Sequence, residues 1–547
     1  MKLDPEFLVR AHPTPAASSV FNATLNAHGL YNAFQFVLRL SPAVHRKIAE
    51  LPTGIASSRD IGFDGAQAFS TYLHETIHWW QHAGSTYGLM RSLSYPTQVH
   101  GNYKHLRELI ATVGFKKPVR TLARVLPAPG GMGTLRGLAN TIVNNHFDFE
   151  AFRGLTYNLA AAKSVVADPF FECVGHAHEI TYGNNILVLA GTVDPDFRIL
   201  QHPKEWEDPF DALRQSQEEG FHPGSRVKLW PIGAHEIMEG QACFGQLQYL
   251  AFLSGGRLGW DNFRALGMLH GVYAKAFETF LAIAELEWPP ALDHPIVGLF
   301  LLICDMAINP GAGFPFPLVY FSSFITDTDP GTRFAMLSSL VRLKCPDVIT
   351  AIRDYSRTEY EHVSEQLAAA LIVESPLAVA SICSRWAQEC GPLAGLMEEY
   401  RTFDYGPVNL PVRVLFSHFL AFMRDKLATP EFFCWPGAWM AGTRVSQHGS
   451  VLFNRHAAPF VDKEDDDGIF PRLYPDRDEK FVEDTFYSFY AANITYDMTN
   501  QWITRPGPFT YDYRWLSQSG PHEEIKGFAD RHFAQAYGVE PDTVDLV

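Results

Sequence analysis

Leu73-His74-Glu75-Thr76-Ile77-His78-Trp79-Trp80-Gln81-His82 is the stretch on which the fold and the chemistry turn. Residues four apart on a helix lie one turn apart on the same face, so His74 and His78 can converge on one tetrahedral metal ion. Glu75 is rotated by about 100° from His74. It can therefore sit beside the metal without binding it, where a carboxylate can take a proton from water. The surroundings support a helix: from Asp64 to His82, the residues Phe69, Leu73, Ile77 and Trp80 form one apolar stripe.

Upstream, Leu30 to Leu40 (LYNAFQFVLRL) places Phe34, Phe36, Leu38 and Leu40 at period two, which predicts a strand. Ser41-Pro42 reads as the cap and first residue of a short helix ending before Pro52. Downstream, the charges between Lys104 and Arg124 suit the solvated face of an amphipathic stretch. PAPGGMGTLRG, 127–137, reads as a linker, since its glycines follow no clear strand and lack GK[ST]. Loops are expected over 194–231. Helices are then expected over 234–253, 261–285, 294–308, 331–343, 346–372, 376–390 and 410–426. The last hundred residues hold the acid run 463–468 and many aromatics with little periodicity, which reads as loop-rich. This predicts an α+β, predominantly helical protein, with units at 1–255, 256–445 and 446–547.

Composition narrows the classes of partner. The 547 residues include 60 acidic against 44 basic ones, for a formal charge of −16. Such a chain does not track phosphate backbones well, so no nucleic-acid partner is expected. Seven cysteines without a CxxC pair predict neither a disulfide framework nor a cysteine zinc site. MKLDPEFLVRAHPTP lacks a basic segment followed by an apolar one, so no secretory signal is expected. The most apolar window, Pro295 to Ala307, is too short to span a bilayer and carries Asp305. A cytoplasmic protein with no membrane partner is the expectation.

The segment LHETIHWWQH resembles the active-site helix of the HExxH zinc metallopeptidases, the zincins. The metzincin branch places a third histidine at HExxHxxGxxH spacing, and here that position is Gly84. The gluzincin branch takes its third ligand from a glutamate on a later helix, in an EGxA-like or ExxxD-like stretch. Glu239-Gly240-Gln241-Ala242 is similar to the first form, while Cys243 stands where the second needs aspartate. The resemblance implies a zincin-like unit holding one Zn2+ ion on His74, His78 and Glu239. It further implies Glu75 as general base and a peptide or protein as substrate.

Glu236 competes with Glu239, but a glutamate in a first helical turn is favoured by the helix dipole alone. Glu239 lies deeper, and Gly240 beside it allows close approach of another backbone. Glu150, Glu172 and His176 are more distant candidates. His82 continues the 74/78/82 stripe as an end-of-helix histidine or a support to the ligands. His235 and Tyr182 are candidate oxyanion donors. His176-Ala177-His178 has strand-like spacing with nothing nearby to complete a site, and reads as loop histidines.

Two other functions fit parts of the pattern. A di-iron carboxylate oxidoreductase would pair Glu75-xx-His78 with Glu359-xx-His362. A zincin-like scaffold without catalysis would bind a partner and need no base at Glu75.

Overall fold

The computed structural model describes residues 2–8, 29–51, 61–126, 134–466, 468–513, 516 and 521–547. The chain is predominantly helical, with little strand. The segment expected as one strand is a hairpin: β1 (Gly29–Asn32) and β2 (Val37–Leu40) pair antiparallel, Gly29 opposite Leu40. Asn32 makes the reversal, its side chain accepting from the backbone N–H of Phe34 and Gln35 (3.0 and 3.1 Å), so the period-two run is folded back on itself. Helix α1 (Pro42–Ala49) follows, capped by Ser41 with Pro42 in its first turn, as predicted.

Helix α2 (Phe63–Ala83) carries the motif, and its position corrects the amphipathic reading. Every residue from Gly65 to Ala83 is buried, on all sides of the helix. Its apolar stripe meets aromatic residues: Phe69 packs on Tyr249, and Trp80 on Phe432 and Phe433. Its polar side, with Ser70, Thr71, His74, His78 and Gln81, is buried as well, against another helix.

Ser85 then caps α3 (Thr86–Val113), its hydroxyl accepting from the Gly88 N–H. Strand β3 (Lys116–Lys117) precedes α4 (Leu135–Thr156) and α5 (Val174–Val193). The first part of the glycine-rich stretch at 127–137, up to 133, lies outside the described residues. Helix α5 corrects one expectation, because His176 and His178 lie on it and not in a loop; Cys173 caps its start. Helix α6 (Ala234–Leu253) occupies the predicted span. The 261–285 segment is broken into Trp260–Ala265 and α7 (Val272–Ala284). Helix α8 (Pro295–Ala307) is buried from Ile296 on. Among the described residues no single helix is long and apolar enough to cross a membrane.

Gly391–Thr402 forms a helix that the sequence reading left out, before α9 (Leu410–Ala428). The tail departs further from expectation. After β4 (Phe460–Val461) and β5 (Phe470–Pro471) come a 26-residue helix, α10 (Glu479–Thr504), and α11 (His522–Tyr537). Aromatic residues on several faces of α10, among them Phe486, Phe489, Tyr490 and Trp502, are buried, which erases a one-sided period.

The main sheet runs β1-β2-β4-β5, with β2 and β4 parallel. The N-terminal hairpin is thus completed by residues some 420 positions later, and Asp462 also accepts from the Leu40 N–H and pairs with His45. One hydrophobic core draws side chains from all three expected units, from Leu3 to Tyr537. The seven cysteines are buried and free.

Candidate metal centre

Helices α2 and α6 lie side by side because small residues let them approach. A Cβ added at Gly245 would come within 2.8 Å of the Ile77 side chain. Polar bonds fix the register. Gln246 Nε2 donates to Ser70 Oγ and Thr71 Oγ1 (3.1 and 3.2 Å), and Gln81 Nε2 donates to the Met238 carbonyl (2.9 Å). This register sets Glu239 of α6 opposite His74 and His78 of α2.

Three ligand-type atoms converge there. His74 Nε2 and His78 Nε2 lie 3.1 Å apart, and Glu239 Oε2 lies 3.6 Å from the first and 3.4 Å from the second. Tetrahedral coordination with legs of ~2.0–2.1 Å requires ligand atoms about 3.3–3.4 Å apart. The three separations bracket that value. Two nitrogens and one carboxylate oxygen also form a donor set that suits a first-row divalent cation.

The proton on His78 is placed by its neighbours. Gln81 spends its amide N–H groups on the Met238 carbonyl and on Gln241 Oε1 (both 2.9 Å), so its Oε1 faces His78 as an acceptor. His78 Nδ1–H donates to it at 2.8 Å, so that when the ring is neutral its Nε2 lone pair faces Glu239 and His74. Gln246 stands beside His74 and acts on its imidazole.

Electrostatics separate the two carboxylates. Burial alone would raise both. At Glu239 it is outweighed by His78, His235 and His74, which hold the carboxyl well below the usual range. Glu75 has no such set of partners. Burial pushes it up to about 8, with Glu239 adding to the rise, against His78 and the Tyr31 backbone N–H. Burial also opposes charge on His78, but the Glu239 carboxylate prevails and lifts that imidazole to about 9. Strand β1 crosses directly over Glu75, and a Cβ at Gly29 would lie 2.5 Å from Glu75 Cγ. Only glycine fits that crossing.

Other expected residues fall on either side. Glu236 accepts from the Gly233 N–H (2.9 Å) and lies 3.3 Å from Lys275, so it closes the α6 cap and leaves the cluster to Glu239. His235 Nε2 is 3.7 Å from Glu239 Oε1, at the rim. His82 lies in the last turn of α2, as the end-of-helix reading expects, and is a buried ring stacked on Tyr31 with centroids 5.3 Å apart. Tyr182 lies apart, packed between His178 and Phe324, and does not reach the cluster. Glu150 pairs with Arg153, and His176 faces Asp148. Glu359 accepts from the backbone of Arg353, Asp354 and Ser356 as a helix cap while His362 is exposed, so the second ExxH pair offers no ligand set.

Tyr273 of α7, which carries no sequence signal, sets its ring against His74 at 5.9 Å. Gln81, Gln246, Tyr31 and Arg91 are likewise neighbours that only the packing reveals. Among the described residues, His74, His78 and Glu239 form the one group of three or more such side chains placed to hold a metal ion. Compared with known proteins, the chain matches no family model, no curated protein and no solved structure, so the functional reading rests on its own residues.

Proposed function

We propose that this chain is a zinc metallopeptidase of gluzincin type, with His74, His78 and Glu239 as ligands and Glu75 as general base. The observation that carries the reading is the convergence of two imidazole Nε2 atoms and one carboxylate oxygen at tetrahedral separations, beside a second carboxyl with no ligand role. A zinc ion held there would supply Lewis acidity to a water molecule and to a peptide carbonyl.

The chain's own groups divide the remaining work. Glu75, in its ionised form and with no ligand role, would receive the proton lost by the attacking water and return it to the leaving amine. Gln81 fixes the His78 ring and its tautomer. His235, at the rim, and Tyr273, whose ring lies against His74, would serve as donors to the carbonyl oxygen as it gains charge. Strand β1, at the edge of its sheet, shelters Glu75 from solvent. The substrate is a peptide or protein, and the −16 charge speaks against nucleic acid.

Glu75→Gln keeps size and shape while removing the proton acceptor. The variant should retain one zinc per chain by metal analysis, and its hydrolysis should fall by ~10²–10⁴. Cleavage at the wild-type rate would overturn the peptidase reading, and a scaffold built on the same ligands would replace it.

A further inference from the structure

Arg91, on α3, is 8% exposed, yet its Nε and Nη1 have no hydrogen-bond partner among the described residues. Its one polar contact is a long bond from Nη2 to the Tyr95 hydroxyl, at 3.4 Å. Its Cζ lies 5.9 Å from the Tyr95 ring centroid. Its Cζ stands 3.8 Å from the Tyr157 ring centroid. The chain's other deeply buried arginine on a helix near this core is satisfied differently. Arg333, 2% exposed, donates to the carbonyls of Ala307, Met306 and Asp327. Leaving a buried guanidinium without a counter-charge or carbonyl partners is costly, and such a group recognises carboxylates through a planar fork of donors.

The position of Arg91 ties it to the metal centre. Tyr157, under which it lies, is 5.2 Å from the His235 ring, and His235 reaches Glu239 at 3.7 Å. Its charge also bears on His82, one turn beyond His78, and on Tyr31, which stacks on His82. Tyr31 Oη and His82 Nδ1 are themselves buried without partners among the described residues. Arg91 and Tyr31 thus both carry polar side-chain atoms that can donate to an anion, and Tyr31 stacks on His82, one turn beyond His78. Tyr95 and Tyr157, which the guanidinium contacts, are both partly exposed.

We infer that Arg91 is the recognition group for a carboxylate of the substrate, so that the site takes peptides bearing an acidic side chain or a free C-terminal carboxylate near the scissile bond. This rests on the metallopeptidase reading for the identity of the ligand as a peptide, but not for the recognition of the carboxylate itself. Tyr157 holds the guanidinium through its ring face.

The test is a binding measurement on zinc-loaded Glu75→Gln protein, which should not turn its ligand over. N-acetyl tetra-alanine peptides are titrated by calorimetry in matched pairs: glutamate against glutamine at each position with an amidated C-terminus, and free acid against amide without glutamate. In at least one pair the carboxylate member should bind at least tenfold more tightly, and which pair it is separates a side-chain carboxylate from a C-terminal one. Adding Arg91→Gln should equalise the members of that pair, and Arg91→Lys should keep part of the preference. Equal affinity within every pair, no binding at millimolar peptide, or a preference that survives Arg91→Gln would overturn the inference. Should Arg91→Gln fail to fold, the pairwise comparison still decides, because it needs no change at Arg91. Cleavage by the wild type without acid preference would remove this inference and leave the peptidase reading standing; acid preference in binding without cleavage would do the reverse.

Discussion

Two sets of buried histidines in this molecule meet opposite fates. On α5 and α9, His178 and His418 each give Nδ1–H to the carbonyl one turn back, Val174 at 2.9 Å and Val414 at 2.7 Å. Their rings pack on aromatics, Phe152 for the first and Trp79 for the second. Burial holds them neutral, at about 4 and about 3. On α2, His78 instead spends Nδ1–H on a glutamine side chain and turns Nε2 toward His74 and a carboxylate. Burial is as complete in both places. What differs is the company of the ring: on α5 and α9 it packs among aromatic side chains, on α2 its Nε2 meets Glu239 from a helix held in register by Gln81 and Gln246. A histidine becomes a ligand candidate through what its helix is packed against, not through its own burial.

The hardest test of that contrast exchanges loss at one set for loss at the other. On the proposed reading His78→Ala removes one of three ligand atoms, so zinc content and hydrolysis should both drop to background. His178→Phe removes a histidine just as buried and should leave zinc content at the wild-type value. Metal analysis of the two purified variants reads the difference. If both lost the metal, α5 would belong to the site and the contrast would fail.

How far the site could be read in advance follows the same line. The i, i+4 spacing of His74 and His78 is local, so both the helix and its ligand face were legible, as was the 234–253 helix carrying Glu239. Glu239 was preferred there over Glu236; in the fold Glu236 sits at the start of its helix, accepting from the Gly233 N–H, while Glu239 faces the two imidazoles. The environment of α2 was not legible. A polar helix face buried against Gln241 and Gln246 of another helix has the same pattern as one facing water. His176-Ala177-His178 misled because spacing by two suggests a strand, and helical residues before and after them offer no strong stripe there. In α10, aromatics that pack on several sides hide the helical period. Arg91 and Tyr273 reach the site by tertiary packing alone.

A smaller effect probes what holds the α2 imidazole in place. Gln81→Leu deletes the acceptor of the His78 Nδ1 proton and the donors to Met238 and Gln241, while keeping comparable volume. Zinc affinity, measured by competition with a chelator, should weaken by ~10–100-fold, the usual effect of losing a group that orients a ligand. Hydrolysis at saturating zinc should recover much of its rate. An unchanged affinity would mean that packing alone orients His78, and the contrast with His178 would then rest on Glu239 only.

The smallest effect lies on the other side of the comparison, in acid. His178 is held at about 4 in the folded chain by burial, and its value in the unfolded chain is about 6.5. A depressed folded value means that the unfolded chain binds more protons between these limits. The contribution of His178 to stability is therefore complete above about pH 6.5 and is lost as pH falls toward 4. At about pH 5.5 the loss from this one residue should be on the order of 1 kcal/mol. His178→Phe removes the titration while keeping a ring in contact with Phe152 and Phe324. Denaturant unfolding at pH 7.5 and 5.5 should thus show a smaller drop in stability for the variant than for the wild type, by about that amount. An identical drop in both would mean that the unused Nε2 of His178 finds a partner when it is protonated, and that its burial is less exclusive of charge than its aromatic surroundings imply.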